Sequence, residues 1–238
     1  MTDHPRRVSS PATDAAAALL SELVAQGLRH IVLSPGSRSQ ALALVAARLE
    51  ARGDIELHVR LDERVAGFTA LGLARETRMP VAVVCTSGTA AANLLPAALE
   101  AHHSGVPLLL LTADRPPELR GVGANQTTRQ PGMFSPSVRW EADLPVPEEP
   151  DDVGDSASTA MLRALAAEAF GAARGAGTRS AGPVHLNLPF REPLAGELPA
   201  WFGRPAIGDA PAPDAPPAGI HTPDDHAPEA DEDIASGA

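Results

Sequence analysis

Three short polar segments each follow directly after an apolar run in the first half of the chain. They read SPGSRS at 34–39, TSGT at 86–89 and ADRPPELR at 113–120, and the runs before them are IVL, VAVVC and LLLLT. Hydroxyls, free backbone N–H groups and arginines are the groups that bind carboxylates and phosphates. If the apolar runs are neighbouring strands of a parallel sheet, the three segments meet at its carboxyl edge. The pattern predicts a site for an anionic small molecule.

The first polar segment concentrates glycine, serine and arginine in one turn. Arg38 suits a planar carboxylate because a guanidinium donates two parallel hydrogen bonds, and Ser37 precedes it. In the alternative interpretation, Ser39 only caps the next helix and Arg38 is a solvated charge. That alternative explains Ser39 well, but it does not explain why Gly36 and Arg38 share the turn.

Glu63 lies at a predicted strand-to-helix junction in the sequence LDERVAGFTALGLA at 61–74. A carboxylate beside small apolar residues loses part of its hydration and can share a proton with a ring nitrogen of a ligand. The alternative is that Glu63 only complements the dipole of the helix that begins there.

The second polar segment contains Thr86, Ser87 and Gly88. Glycine lets the backbone approach a flat ligand closely. Asn93, one turn further on, interrupts an Ala/Leu stripe and is predicted to reach back to this loop. An ordinary turn followed by a helix cap is the alternative interpretation.

The third polar segment continues into a loop that holds three arginines and two amides: Arg115, Arg120, Arg129, Asn125 and Gln126. Three arginines in one loop of an acidic protein predict an anion site, and scattered surface arginines are the alternative. The loop sequence GVGANQ is not the dinucleotide fingerprint G-x-G-x-x-G, because Gln126 replaces the last glycine and no helical pattern follows. A Rossmann-type dinucleotide-binding protein is therefore not supported.

The elements that must position these residues alternate between apolar strands and helices. Strands are predicted at 30–33, 56–59, 80–85, 107–112, 138–142 and 182–190. Helices are predicted from 11, at 39–52, at 63–78, around 91–99 and at 157–173. Several strands lack a polar face, which is typical of a parallel sheet covered on both sides. The predicted fold class is α/β: a doubly wound, mainly parallel sheet with helices on both faces, as a single domain over 10–200.

Composition limits the partners of this chain. The formal net charge of −11 argues against nucleic acid as a partner. Residues 203–238 contain seven prolines and eight acids, and this acidic tail is predicted to be disordered. Cys85 is the only cysteine, no signal-peptide pattern or membrane-length apolar run is present, and a cytoplasmic location is expected. The pair His102–His103 lacks the spacing of a zinc site with Cys85, so no metal ligand is predicted.

Five segments together resemble a known family. They are LSPGSRS, VRLDERVAGFTALGLA, VAVVCTSGTAAANLLPA, LTADRPPELRGVGANQTT and GPVHLNLPFREPL, in this order between about 10 and 194. They resemble the amino-terminal part of the 2-succinyl-5-enolpyruvyl-6-hydroxy-3-cyclohexene-1-carboxylate synthases of menaquinone biosynthesis, which belong to the thiamine diphosphate-dependent decarboxylases and synthases. The resemblance implies a transferase that decarboxylates 2-oxoglutarate and adds the succinyl carbanion equivalent to isochorismate, with thiamine diphosphate and Mg²⁺ as cofactors.

The resemblance also implies roles for individual residues. Glu63 matches the family's catalytic glutamate, which hydrogen-bonds the aminopyrimidine ring of the cofactor. The predicted cofactor-binding residues are Glu63, Thr86, Ser87, Gly88 and Asn93. The positions predicted to face the substrate carboxylates are Ser37, Arg38, Arg115 and Gln126.

The chain also departs from the family pattern. The family's full chain is more than twice as long, and its Gly-Asp-Gly motif and a downstream Asn hold Mg²⁺ and the diphosphate on another domain. Here Gly208–Asp209 is followed by alanine. We therefore expect the N-terminal, pyrimidine-binding half of the enzyme, which works in a homo-oligomer or with a chain that supplies the diphosphate-binding domain. The alternative is a non-catalytic binding or subunit-interaction protein with the same fold.

Overall fold

The computed structural model describes residues 10–148, 157–176 and 180–202, and the predicted tail at 203–238 lies outside them. The strands are β1 His30–Leu33, β2 Glu56–Val59, β3 Val81–Cys85, β4 Leu108–Asp114, β5 Trp140–Asp143 and β6 Pro183–Pro189. The helices are α1 Pro11–Ala25, α2 Gln40–Ala51, α3 Glu63–Thr77, α4 Thr89–Ala92, α5 Leu95–Ser104 and α6 Ala157–Ala173. No helix in these ranges is long and apolar enough to cross a membrane.

The α/β fold class predicted from the sequence is confirmed. The six strands form one sheet in the order β2-β1-β3-β4-β6-β5, and every neighbouring pair is parallel. The chain runs from β1 outward to β2 and then returns past β1 to β3. The strand order therefore reverses between β1 and β3, and their carboxyl ends border the crevice where open α/β sheets bind ligands.

Helices cover both faces of the sheet, which is why several strands have no polar face. One hydrophobic cluster joins α1, α2 and α6 to side chains such as Leu33, Val84 and Leu111. The other joins α3, α4 and α5 to the alternate side chains, such as Val32 and Val83. Successive residues of a strand point to opposite faces, so β3 and β4 must be apolar throughout. All residues of both strands except Thr112 and Asp114 are apolar, and all are buried.

The helix predicted around 91–99 is two helices. α4 ends at Ala92, and α5 begins at Leu95 with Pro96 in its first turn. Proline has no N–H to donate to the carbonyl four residues earlier, and its ring clashes with that carbonyl. The backbone therefore breaks at 93–94, although the apolar spacing continues across the break.

Gly36 and Gly72 provide a matched test of how the first two polar loops pack. A Cβ at Gly36 would lie 2.4 Å from Thr86 Cβ, whereas a Cβ at Gly72, inside α3, would meet nothing within 4 Å. We expect Gly36→Ala to lower the free energy of unfolding in urea by about 3 kcal/mol, because the two loops must separate. We expect Gly72→Ala to raise it by about 1 kcal/mol. Full stability of Gly36→Ala would contradict the close packing of the loops.

Candidate functional site

The loop after β1 holds Arg38 in a buried position. Ser34 extends the strand, and its N–H donates to the Val84 carbonyl at 2.9 Å. The Arg38 side chain then reaches the loop after β6, where Nη1 donates to the Phe190 carbonyl at 3.0 Å and Nη2 lies 3.8 Å from Glu192 Oε1. Arg38 is only 8% exposed. The guanidinium is therefore fixed at the carboxyl edge of the sheet.

Two buried side-chain atoms in this loop have no hydrogen-bond partner within the described part of the chain: Ser34 Oγ and Arg38 Nε. An unsatisfied buried donor or acceptor costs about 1–3 kcal/mol, so such atoms are uncommon in a folded protein. Both atoms belong to the same polar turn, so this turn has hydrogen-bonding groups left over for a polar ligand.

Arg115 adds a second positive charge near Arg38. Burial lowers the pKa of Arg38, and the charge of Arg115 lowers it further, while Glu192 and Asp114 oppose the shift. The Nε of Arg115 donates to the Asn125 carbonyl at 2.7 Å, which orients the side chain. Two neighbouring guanidiniums, one of them buried, favour an anion between or beside them. Ser37 precedes Arg38 and is exposed.

Arg120, another arginine of the β4 loop, is paired with carboxylates. Arg120 donates to both carboxylate oxygens of Asp143 at 2.7 and 3.0 Å, and lies 2.9 Å from Asp114 Oδ2. The hydrogen bond to Asp143 is the main cause of the raised pKa of Arg120. Arg120 and Arg129 also line a separate cavity of about 570 Å³. Arg120 is thus paired with carboxylates of the protein itself, and the anion site predicted for the three loop arginines remains a prediction.

The loop after β3 is held against the β4 loop by reciprocal hydrogen bonds. Ser87 Oγ donates to the Gln126 carbonyl at 2.9 Å, and Gln126 Nε2 donates to the Ser87 carbonyl at 3.2 Å. Gly88 has a φ of +84°, and a Cβ there would come within 3.0 Å of the Gln126 side chain. Gln126 therefore braces this loop, and its predicted contact with a substrate carboxylate remains a prediction. Thr86 packs beneath Gly36.

Asn93 reaches back along its own short helix, as expected from its position. Its Nδ2 donates to the carbonyl of Thr89, the residue directly after Gly88. The contact stabilises the start of α4, and the predicted role of Asn93 in cofactor binding remains a prediction.

A buried network of polar side chains connects the β3 loop to strands β4 and β6. This network was not predicted from the sequence. Gln130 is fully buried; its Oε1 accepts from the Gly88 N–H at 2.9 Å, and its Nε2 donates to Asn187 Oδ1 at 2.9 Å. Asn187 in turn donates to Asp114 Oδ2 at 2.9 Å. The signal in the sequence was the presence of Thr112, Asp114, His185 and Asn187 in two strands whose other residues are apolar. Polar residues in such strands must find partners within the fold.

His185 in this network makes stability depend on pH. It is 1% exposed, its Nε2 lies 2.8 Å from Thr112 Oγ1, and burial lowers its pKa to about 4. Because the unfolded chain takes up a proton near pH 6.5 and the folded chain near pH 4, stability is lost as pH falls across that window. We expect His185→Gln to remove roughly 3 kcal/mol of the loss between pH 7 and pH 4, measured by urea unfolding. An unchanged pH dependence in the variant would contradict a buried, neutral imidazole.

Glu63 lies on the same edge of the sheet as these loops. It is the first residue of α3, and the helix is capped by the preceding residue, because Asp62 Oδ1 accepts from the Val65 N–H at 3.0 Å. Burial raises the pKa of the Cys85 thiol, and the Glu63 carboxylate raises it further, so the carboxylate is near the end of β3. Glu63 is half-buried and makes no hydrogen bond or ion pair with any described residue. Asp62, and not Glu63, therefore caps the helix, while Glu63 in the first turn also complements the dipole of α3.

Exposed apolar side chains flank Glu63 on both sides in the sequence. Leu61 is 84% exposed, and Val59, Val65 and Phe68 are each about half exposed. Several large apolar side chains exposed close together are typical of a surface that another protein segment covers.

Comparison with known proteins agrees with the resemblance seen in the sequence. The family model described as "Thiamine pyrophosphate enzyme, N-terminal TPP binding domain" matches residues 13–133. Curated proteins named 2-succinyl-5-enolpyruvyl-6-hydroxy-3-cyclohexene-1-carboxylate synthase are similar over most of the chain. The protein from Leifsonia xyli subsp. xyli is 55% identical over 213 residues, which cover 85% of this chain and 35% of that protein.

Two further relatives with the same name give a similar result. The protein from Kineococcus radiotolerans is 53% identical over 210 residues, covering 86% of this chain and 37% of that protein. The protein from Chloroflexus aurantiacus is 54% identical over 178 residues, covering 75% and 28% respectively. This chain therefore spans about a third of the length of the curated relatives it matches.

Proposed function

We propose that this chain supplies the pyrimidine-binding part of a synthase of menaquinone biosynthesis. The chain belongs to the thiamine pyrophosphate enzyme family, whose N-terminal TPP-binding domain it matches. The reaction proposed for the assembled enzyme is the decarboxylation of 2-oxoglutarate and the addition of the remaining succinyl unit to isochorismate. One observation carries the proposal: the half-buried carboxylate of Glu63, which has no hydrogen bond or ion pair among the described residues, lies at the same sheet edge as the buried Arg38.

The residues at this edge fit thiamine diphosphate. A half-buried carboxylate is a suitable acceptor for a protonated ring nitrogen, and Glu63 has no hydrogen-bond or ion-pair partner within 10–148, 157–176 and 180–202 that would compete. The loop of Thr86, Ser87 and Gly88, fixed by Gln130, would lie along the pyrimidine ring, and Asn93 would hold the start of α4 in place. The bound cofactor supplies an electron sink for the decarboxylation of a 2-oxo acid. The role of Glu63 is to hold a proton at its carboxylate oxygen and to share it with the ring.

The carboxylates of the substrates would bind at the β1 loop. Arg38 offers a buried Nε and Ser34 a buried hydroxyl in the same turn, neither with a hydrogen-bond partner in the part of the chain that the structure describes. Arg115 adds the second positive charge, and Ser37, directly before Arg38, is exposed to a ligand. Gln126 would act here by holding the β3 and β4 loops together. Both proposed substrates carry two carboxylates, which suits a site with two guanidiniums.

The remaining parts of the site would come from outside this domain. We assign Mg²⁺ and the diphosphate group to a domain that a longer chain or a second subunit supplies. The apolar side chains around Glu63, above all Leu61 and Phe68, are the surface that such a domain would cover, in a homo-oligomer or with a separate chain. A cytoplasmic location remains a prediction.

A non-catalytic binding or subunit-interaction protein is the second candidate. The same exposed apolar side chains around Glu63 favour it, because they fit an interface whether or not chemistry takes place there. The two candidates differ in one respect: the enzyme requires the Glu63 carboxylate and the Arg38 guanidinium for its activity, whereas the binding protein does not.

A chimeric enzyme distinguishes the candidates. Residues 10–202 of this chain replace the matching segment of the full-length relative from Leifsonia xyli. We expect the chimera to release CO₂ from 2-oxoglutarate when thiamine diphosphate, Mg²⁺ and isochorismate are all present. The full-length relative is the positive control. A chimera that folds and assembles like the relative but releases no CO₂ would contradict the proposed function and favour the second candidate.

A further inference from the structure

The register of β1 and β2 brings two histidines and a glutamate together at the edge of the sheet. His30 is opposite Glu56, and Val32 is opposite His58. Alternate residues of a strand share a face, so the side chains of His30, Glu56 and His58 all project from the same side. The two histidines are 28 residues apart in the sequence, and only the pairing of the strands makes them neighbours.

The three side chains converge on one point. His58 Nε2 lies 3.4 Å from His30 Nδ1, His30 Nδ1 lies 3.6 Å from Glu56 Oε2, and His58 Nε2 lies 3.9 Å from the same oxygen. Zinc binds such atoms at about 2.0–2.2 Å, and the ligand atoms of a tetrahedron are then about 3.3–3.6 Å apart. The observed triangle is therefore close to three corners of a zinc tetrahedron, and small side-chain rotations complete the match.

We propose that His30, Glu56 and His58 form a binding site for a zinc-like divalent cation, with water in the fourth position. Two imidazoles and one carboxylate suit Zn²⁺, whereas Mg²⁺ prefers oxygen ligands alone. The site is thus distinct in chemistry from the Mg²⁺ assigned to another domain. It also differs in place, since His30 begins β1 whereas Arg38 and Glu63 lie beyond the carboxyl ends of the strands.

The exposure of the three side chains suits a site that a metal ion can enter. The side chains of His30 and His58 are 17% and 25% exposed, and that of Glu56 is 73% exposed. The histidines are thus held in place by their surroundings, while the glutamate closes the site from the solvent side. A bound ion would cross-link the edge strand β2 to β1 and would stabilise the folded chain.

A simple hydrogen bond between the two rings, with Glu56 as a surface ion-pair partner, is the competing explanation. In that arrangement one ring nitrogen carries the proton that the other accepts. A metal ion instead requires a lone pair from each ring nitrogen. The two explanations therefore predict opposite results when metal is added.

Zinc titration of the full chain tests the proposal. The metal-free protein is titrated with Zn²⁺ in competition with a chromophoric chelator, and thermal unfolding is followed in parallel. We expect one tightly bound Zn²⁺ per chain and a higher Tm. His58→Gln and Glu56→Gln should each weaken binding by roughly a hundredfold. His103→Gln, which alters an exposed histidine outside the cluster, is the matched control and should bind like the wild type.

Cobalt substitution provides a test that needs no variant. Co²⁺ bound to the wild-type chain should show the intense visible absorption of a tetrahedral nitrogen–oxygen site, and Zn²⁺ should displace it. A weak octahedral spectrum would overturn the proposal. Equal Zn²⁺ binding by the wild type and by His58→Gln would overturn it as well. The result does not depend on the proposed enzymatic function, because it is measured without thiamine diphosphate or substrate.

Discussion

Glu63→Gln is expected to lower CO₂ release from 2-oxoglutarate by the chimeric enzyme by roughly a thousandfold. The amide has nearly the shape of the carboxylate but cannot take up and return a proton. Glu63 is half-buried without hydrogen bond or ion pair among the described residues, so the substitution breaks no such contact within the domain. The loss should therefore appear in the turnover rate and not in the Tm.

Glu76→Gln is the matched control for this experiment. Glu76 lies near the other end of α3 and is exposed, so the variant has the same change in charge on the same helix. We expect its CO₂ release to equal that of the unsubstituted chimera. A Glu63→Gln chimera that retained activity within about tenfold of the control would contradict proton sharing by Glu63.

Arg38→Ala should have the next largest effect, through substrate binding. We expect the KM of one substrate, 2-oxoglutarate or isochorismate, to rise about a hundredfold. The affected substrate is the one whose carboxylate binds Arg38. Arg38→Lys should recover only part of this loss, because an ammonium lacks the planar pair of donors. Steady-state kinetics with each substrate varied in turn provides the measurement.

The structural role of Arg38 requires its own control. Its Nη1 also donates to the Phe190 carbonyl, so the variants must be compared at a temperature where unfolding curves show each to be folded. Arg48→Ala removes an exposed arginine from α2 and should leave both KM values unchanged. Unchanged KM values in a folded Arg38→Ala chimera would show that the β1 loop does not bind the substrate carboxylates.

The fold was predictable because its signals are local. Ser10 caps α1 and Pro11 begins it, and the unbroken apolar runs of β3 and β4 indicate strands covered on both faces. The break between α4 and α5 was not predicted, because the apolar stripe continues through it. At that point the missing N–H of Pro96 outweighs the periodicity.

The candidate site was predictable only in part. The motifs indicated which loops meet, since each directly follows a strand. The partners of individual side chains depend instead on distant residues. Arg120 pairs with Asp143, and Gly88 donates to Gln130. The cluster of His30 and His58 likewise depends on strand register, which the sequence pattern alone does not determine.

Solvent exchange of the cofactor's acidic thiazolium proton tests the central claim most directly, because it requires neither substrate nor turnover. Thiamine diphosphate bound to the chimera is mixed with deuterium oxide, quenched in acid and analysed by NMR. We predict that exchange on the chimera is much faster than in the free cofactor, and that Glu63→Gln returns it to the free rate while Glu76→Gln does not. Equally fast exchange in Glu63→Gln, with the cofactor bound, would contradict the role assigned to this carboxylate.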